Sequence, residues 1–170
     1  MKLLELDSLS FQEANKSIMD FVSSNQTLSD NELEQLFKVQ NKLLVAEVLE
    51  TYTKFDSAQL LRIENYINSS FDLDDRFFVS DLIDFAGSWS LNLNYERLLT
   101  FLSSKSEEEH FVVLSTVNYI LENVKYNYHI DIIEKCEAIL DDSEYFQNVQ
   151  ISAALCLYRI SHDSKYLIEI

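Results

Sequence analysis

The sequence predicts an all-α fold, read as an α-solenoid of antiparallel helix pairs, with an irregular helical bundle as the alternative. Three observations predict it. The 170 residues include a single glycine, Gly87, and no proline. Tight hairpin turns need residues at positive φ, so a sheet-rich fold is disfavoured, whereas helix interiors need neither residue. Helix-start signatures recur along the chain. Apolar residues repeat at helical spacing, in segments that begin roughly 35 residues apart, the interval of helical-repeat proteins.

Taken in order, helices are predicted near residues 11–24, 30–38, 41–54, 57–68, 73–86, 94–103, 107–124, 128–140 and 144–161, with a short segment near 163–169. Ser10-Phe11-Gln12-Glu13 and Ser29-Asp30-Asn31-Glu32 fit capping boxes. The second and third helices are close enough to form one bent helix. In 73–86, Phe78, Val79, Leu82, Ile83, Phe85 and Ala86 share one side, with Phe77, Ser80, Asp81 and Asp84 opposite. Gly87 follows, where a left-handed residue commonly ends a helix. Asn94 is placed to cap the next helix. Ser106-Glu107-Glu108-Glu109 sets carboxylates at the positive end of a helix dipole. In 107–124, Val113, Leu114, Val117, Ile120, Leu121 and Val124 form the apolar stripe, and Glu108, Ser115, Tyr119 and Glu122 lie opposite. Ser143 is placed to cap 144–161, a helix apolar nearly all round and so expected to pack on more than one side. One domain spanning 1–170 is expected, with helix pairs near 57–86, 94–124 and 128–161.

Asn148-Val149-Gln150-Ile151-Ser152-Ala153-Ala154-Leu155-Cys156-Leu157-Tyr158-Arg159-Ile160 resembles the second helix of a HEAT-type repeat, with small residues where neighbouring helices approach closely. The resemblance extends loosely over 57–140 and implies a HEAT-like stack of helix pairs. The proline and aspartate usual in the turn of such repeats are missing here.

Composition narrows the function. Without further glycines the chain cannot build a phosphate-cradling loop, a dinucleotide turn or a G-x-S-x-G elbow. Thirteen basic residues face 29 acidic ones, for a formal net charge of -16. Such a field repels nucleic acid and anionic lipid; it serves solubility, or it attracts a cationic partner. The N-terminus has no secretory pattern, and no run of about 18 apolar residues occurs, so a cytoplasmic protein without a membrane span is expected. Cys136 and Cys156 fall in predicted helices and read as reduced, packed thiols.

Catalytic and metal chemistry find little footing. His110, His129 and His162 form no i,i+4 pair of zinc ligands. His110 beside Glu107–Glu109 reads as a solvated helix start. His129 and Cys136 share a stripe with nothing to orient a nucleophile. Close carboxylates such as Asp74-Asp75 and Asp141-Asp142 lack the spacing of a calcium loop. No enzyme activity, cofactor or metal is expected.

The more specific pattern mixes acid with outward-facing rings. Phe77, Asp81 and Asp84 with Trp89 beyond form one stripe; Tyr119 between Ser115 and Glu122, continuing to Tyr126 and Tyr128, forms another, with Glu108 on the same helix face. Rings anchor interfaces while carboxylates pair with Lys or Arg, although the same rings could pack against a neighbouring helix pair. In size, acidity and helicity the chain is similar to bacterial immunity proteins. That resemblance implies a small module that neutralises a basic toxin, such as a nuclease, by covering its active site. A helical-repeat scaffold or adaptor without a toxin partner is the alternative.

Overall fold

A computed structural model of the chain describes residues 8–24, 27–52, 54–73, 75–103, 109–123 and 129–168. The described residues form ten α-helices and no strand, so the fold is all-α. The chain divides into two compact units, Met1–Tyr66 and Ile67–Ile170.

The first unit holds α1 (Phe11–Ser24), α2 (Asp30–Leu36), α3 (Lys42–Thr51) and most of α4 (Ser57–Ser70). The starts of α1, α2 and α4 are fixed by side chains that satisfy free backbone N–H groups, while Asn41 at the start of α3 makes no such cap. At α2 the Glu32 carboxylate accepts from the Ser29 N–H at 2.7 Å while the Glu32 N–H donates to the Ser29 hydroxyl. At α1 the Glu13 carboxylate accepts from both the hydroxyl and the N–H of Ser10, which holds its pKa below the usual carboxylate value. A second reciprocal cap opens α4, where the Gln59 N–H donates to Asp56 and the Asp56 N–H to the Gln59 side chain. The buried Gln59 amide also donates to the Leu28 carbonyl at 2.6 Å, tying the chain before α2 to α4.

α2 and α3 are two helices, not one bent rod. The Lys42 ammonium donates to the carbonyls of Phe37 and Val39, at 3.3 and 2.9 Å, and so satisfies acceptors that a continuous helix would have bonded internally. The core of this unit gathers Leu33, Leu36, Val39, Leu44, Val45, Val48, Leu49 and Ile63, all withdrawn from solvent.

The second unit contains α5 (Arg76–Ser88), α6 (Tyr95–Phe101), α7 (His110–Asn123), α8 (His129–Asp141), α9 (Gln147–Ser161) and α10 (Lys165–Ile168). α7 packs against α5 and against α9; α9 also packs against α8 and α10; α6 touches α7 and α8. Asp75 caps α5 by accepting from the Phe78 N–H at 3.0 Å, and Asn94 caps α6 through the Arg97 N–H.

The end of α5 departs from the sequence reading. Gly87 lies inside the helix, and no glycine has positive φ. Ser90 takes the left-handed conformation instead, at φ 52. The Leu91 N–H reaches back to the Ala86 carbonyl at 3.0 Å and the Ser90 N–H to the Gly87 carbonyl at 3.1 Å. This is the paired closure of a Schellman motif, completed by burial of Leu91. Burial of Leu91 thus places the stop three residues past the glycine. α9 closes on another left-handed residue, His162, at φ 56.

The start of α9 departs as well. Ser143 does not cap it; the helix begins at Gln147, after Phe146, without a side-chain cap. The Asp142 carboxylate takes the Glu144 N–H at 3.0 Å and holds this stretch in a turn. Ser106, Glu107 and Glu108 lie outside the described residues.

Candidate docking face on α5 and α7

α5 and α7 run parallel, as three pairings at successive levels show. Phe77 meets Phe111, Ser80 meets Ser115, and Gly87 faces Tyr119 and Asn123. On α5, Phe77, Asp81, Asp84 and Ser88 are spaced by four, three and four residues, which keeps them on one stripe. On α7, Phe111, Ser115, Asn118 and Glu122 repeat that spacing. The two stripes flank a single seam.

One end of the seam is aromatic. The Phe77 and Phe111 rings lie 5.3 Å apart, tilted by 44°, and are exposed by 49% and 48%. The pair buries part of each ring and leaves the rest to water. Arg76 and Glu109, 3.7 Å apart, form an ion pair between the starts of the same helices.

The middle is acidic and reaches inward. Ser115 donates to Asp84 Oδ2 at 2.9 Å, and its oxygen lies 2.8 Å from that of Ser80. A carboxylate only accepts, so the Ser115 proton goes to Asp84 and the Ser80 proton to Ser115. Both serines are buried, although the sequence placed them on the outward face. Burial raises the pKa of Asp84, the Ser115 hydrogen bond opposes the rise, and Glu122 adds to it. Asp81 is raised by burial first, then by the negative charges of Asp84 and Asp75. Both carboxylates therefore hold their charge against partial desolvation and mutual repulsion.

At the other end a cleft of about 370 Å³ opens between the helices, lined by Ile83, Asp84, Gly87, Ser88, Asn118, Tyr119 and Glu122. Gly87 forms part of its wall. A Cβ there would stand 3.6 Å from the Asn123 side chain and 3.7 Å from the Tyr119 ring, ordinary contact distances. Neither φ nor close packing demands the glycine, and the position stays open.

Tyr119 is a correction. It is buried rather than displayed, because its hydroxyl donates to the Leu91 carbonyl and accepts from the Leu93 N–H at 3.1 Å. It pins the loop after α5 and forms part of the cleft lining. Trp89 caps α5, half-buried, with its ring tilted against Phe85 at 6.1 Å. Phe77, Asp81, Asp84 and Glu122 gather on the seam; Glu108 and Tyr126 lie outside the described residues.

The sequence reading missed Phe111, Asn118, Ser88 and the open wall at Gly87. A signal for Phe111 existed. The repeat interval of roughly 35 residues, applied to Phe77, lands beside it.

Among the described residues no group of three His, Cys, Asp or Glu side chains is arranged to hold a metal ion. His110 is buried against Phe146, edge-on at 4.3 Å, and near Tyr145, so it is no solvated helix start. Among the described residues no helix is long and apolar enough to cross a membrane. Compared with known protein families, curated proteins and solved structures, the chain matches none.

Proposed function

We propose that this protein is a cytoplasmic, acidic protein-binding module that covers a basic partner, in the manner of an immunity protein neutralising a basic toxin such as a nuclease. The observation that carries the reading is the seam of α5 and α7. Two half-exposed rings, Phe77 and Phe111, sit on the same strip as Asp81, Asp84 and Glu122. Rings of this kind supply the apolar anchor of an interface, and carboxylates around it select lysine and arginine.

Electrostatics favours the same partner. A charge of -16 speeds the approach of a cationic protein and slows that of an anionic one. On contact, a guanidinium or ammonium between Asp84 and Glu122 relieves the repulsion that raises the Asp84 pKa. The carboxylates then occupy the positions that substrate phosphates would take in a nuclease. The neighbour pattern, α5 beside α7 beside α9 with α6 and α8 linked to each other, supports a HEAT-like stack as the scaffold.

Capture from the native host tests the reading, with wild type beside a Phe77→Ala/Asp84→Asn variant. One dominant basic protein retained by wild type and lost by the variant is the expected result. Its association rate falls at least about tenfold from low to high ionic strength. A varied set of captured proteins favours the scaffold alternative. A rate unmoved by salt overturns the electrostatic mechanism.

A further inference from the structure

We propose that the cleft between α5 and α7 is a receptor for one arginine side chain of the basic partner, held between Asp84 and Glu122; the proposal rests on the docking reading above and names the residue that the partner inserts. The cleft is a shaped cavity as well as a charged one. Its volume is about 370 Å³, and the buried Ile83 and Tyr119 back it with apolar surface. Gly87 opens one wall, since it places no side chain in the space before Tyr119 and Asn123.

Polar groups at the cleft are left for a visitor to satisfy. Glu122 and Asn118 make no hydrogen bond or ion pair among the described residues. Asp84 Oδ2 takes the Ser115 proton at 2.9 Å, which holds the carboxylate in place and leaves Oδ1 without a hydrogen bond among the described residues.

Charge decides what can enter. An anion meets two carboxylates, and an apolar group would strip water from them and return nothing. A cation fits, and Asp84, whose pKa is raised by burial and then by Glu122, gains most from one.

Shape selects guanidinium over ammonium. The Ser80–Ser115 and Gly87–Tyr119 levels put Asp84 and Glu122 on opposite walls, about 5 Å apart along the helix axes. A guanidinium carries its N–H groups around the edges of one plane and can donate to both carboxylates at once. An ammonium is a compact point charge that satisfies one of them well. The methylene stem of an arginine would lie on Ile83 and Tyr119.

Glycine occurs once, so isotope-labelling glycine alone places a single amide signal on the cleft wall. The full chain so labelled is titrated with N-acetyl-arginine methylamide, with the lysine analogue, and with sodium chloride at matched ionic strength. The arginine derivative is expected to move the signal saturably. The lysine analogue is expected to bind at least about fivefold more weakly, and Asp84→Asn and Glu122→Gln each to weaken the arginine derivative by about as much. A signal that stays still with the arginine derivative, or that moves alike with lysine or salt, overturns the proposal. So does tighter binding of free L-arginine, which would make the cleft a site for the amino acid instead of a protein side chain. In capture from the native host, Gly87→Leu fills the cleft and spares Phe77, Phe111 and both carboxylates. It is expected to retain at least about tenfold less of the basic protein than wild type does. Full retention overturns the arginine site and leaves the docking reading standing. A wild type that takes the arginine derivative but captures no basic protein overturns the docking reading instead.

Discussion

α7 and α9 are both long and rich in apolar residues, yet they occupy different positions. α7 lies between α5 and α9, and it buries His110, Ser115, Thr116 and Tyr119 along with Val112, Val113 and Val117. α9 packs against α7, α8 and α10 but leaves Leu155 and Tyr158 exposed by 39% and 37%. α7 is the more enclosed of the two and buries polar side chains, whereas α9 buries only apolar residues and a cysteine. Two of the buried polar side chains of α7 enter the interior because partners await them. Ser115 finds Ser80 and Asp84, and Tyr119 finds the loop after α5.

The largest effect that tests this contrast is a buried charge. Val117→Asp on α7 is expected to abolish cooperative folding, since an unpaired interior carboxylate costs several kcal/mol. Leu155→Asp on α9 is expected to change stability by less than about 1 kcal/mol. Urea denaturation of the two variants measures both. Similar losses would break the comparison.

A smaller effect concerns the partners that α7 holds. Tyr119→Phe leaves the Leu91 carbonyl and the Leu93 N–H without their hydroxyl, at a cost of about 1–3 kcal/mol in the same measurement. The opposite sign is expected at Thr116, whose buried hydroxyl has no hydrogen-bond partner. Thr116→Val is expected to stabilise by about 1 kcal/mol.

Gly87 and Ser90 give the next test, at the end of α5. Gly87→Ala adds a methyl group at ordinary contact distance inside a helix and is expected to stabilise by up to about 1 kcal/mol. It also narrows the cleft, so weaker capture of the basic partner by a more stable protein would assign the glycine to binding. Ser90→Gly relieves a left-handed residue and is expected to gain about 0.5–1 kcal/mol.

The pH dependence is the smallest and most specific effect. Asp81 and Asp84 have raised pKa values in the folded state. Their contribution to stability is complete below the ordinary carboxylate pKa and is lost as pH rises through the folded values. Wild type is therefore expected to gain melting temperature as pH falls from about 7 toward about 4, more than Asp81→Asn/Asp84→Asn does. Parallel profiles would remove the two carboxylates from that account.

Much of the helical order was legible because the local signals were strong. Ser29 with Glu32 and Asn94 with Arg97 cap as the sequence predicts, and the apolar face of α5 from Phe78 to Ala86 is buried throughout. The failures have two origins. A helical wheel separates polar from apolar but does not count neighbours, so Ser80, Ser115 and Tyr119 were turned outward. The glycine was read as a stop because glycine tolerates positive φ, whereas burial of Leu91 fixed the stop at a serine. Of the proposed face, Phe77, Asp81, Asp84 and Glu122 were readable on their own helices. Phe111 had a signal only in the repeat interval, and the cleft needed the parallel register of α5 and α7.

The hydroxyl chain from Ser80 through Ser115 gives Asp84 a root in the interior. A visiting cation that draws away Asp84 Oδ2 must compete with Ser115, and any shift there passes on to Ser80. Occupancy at the surface would thus be felt by a side chain that solvent barely touches, and an interior Ser80→Ala change would alter the affinity of an exterior it never meets.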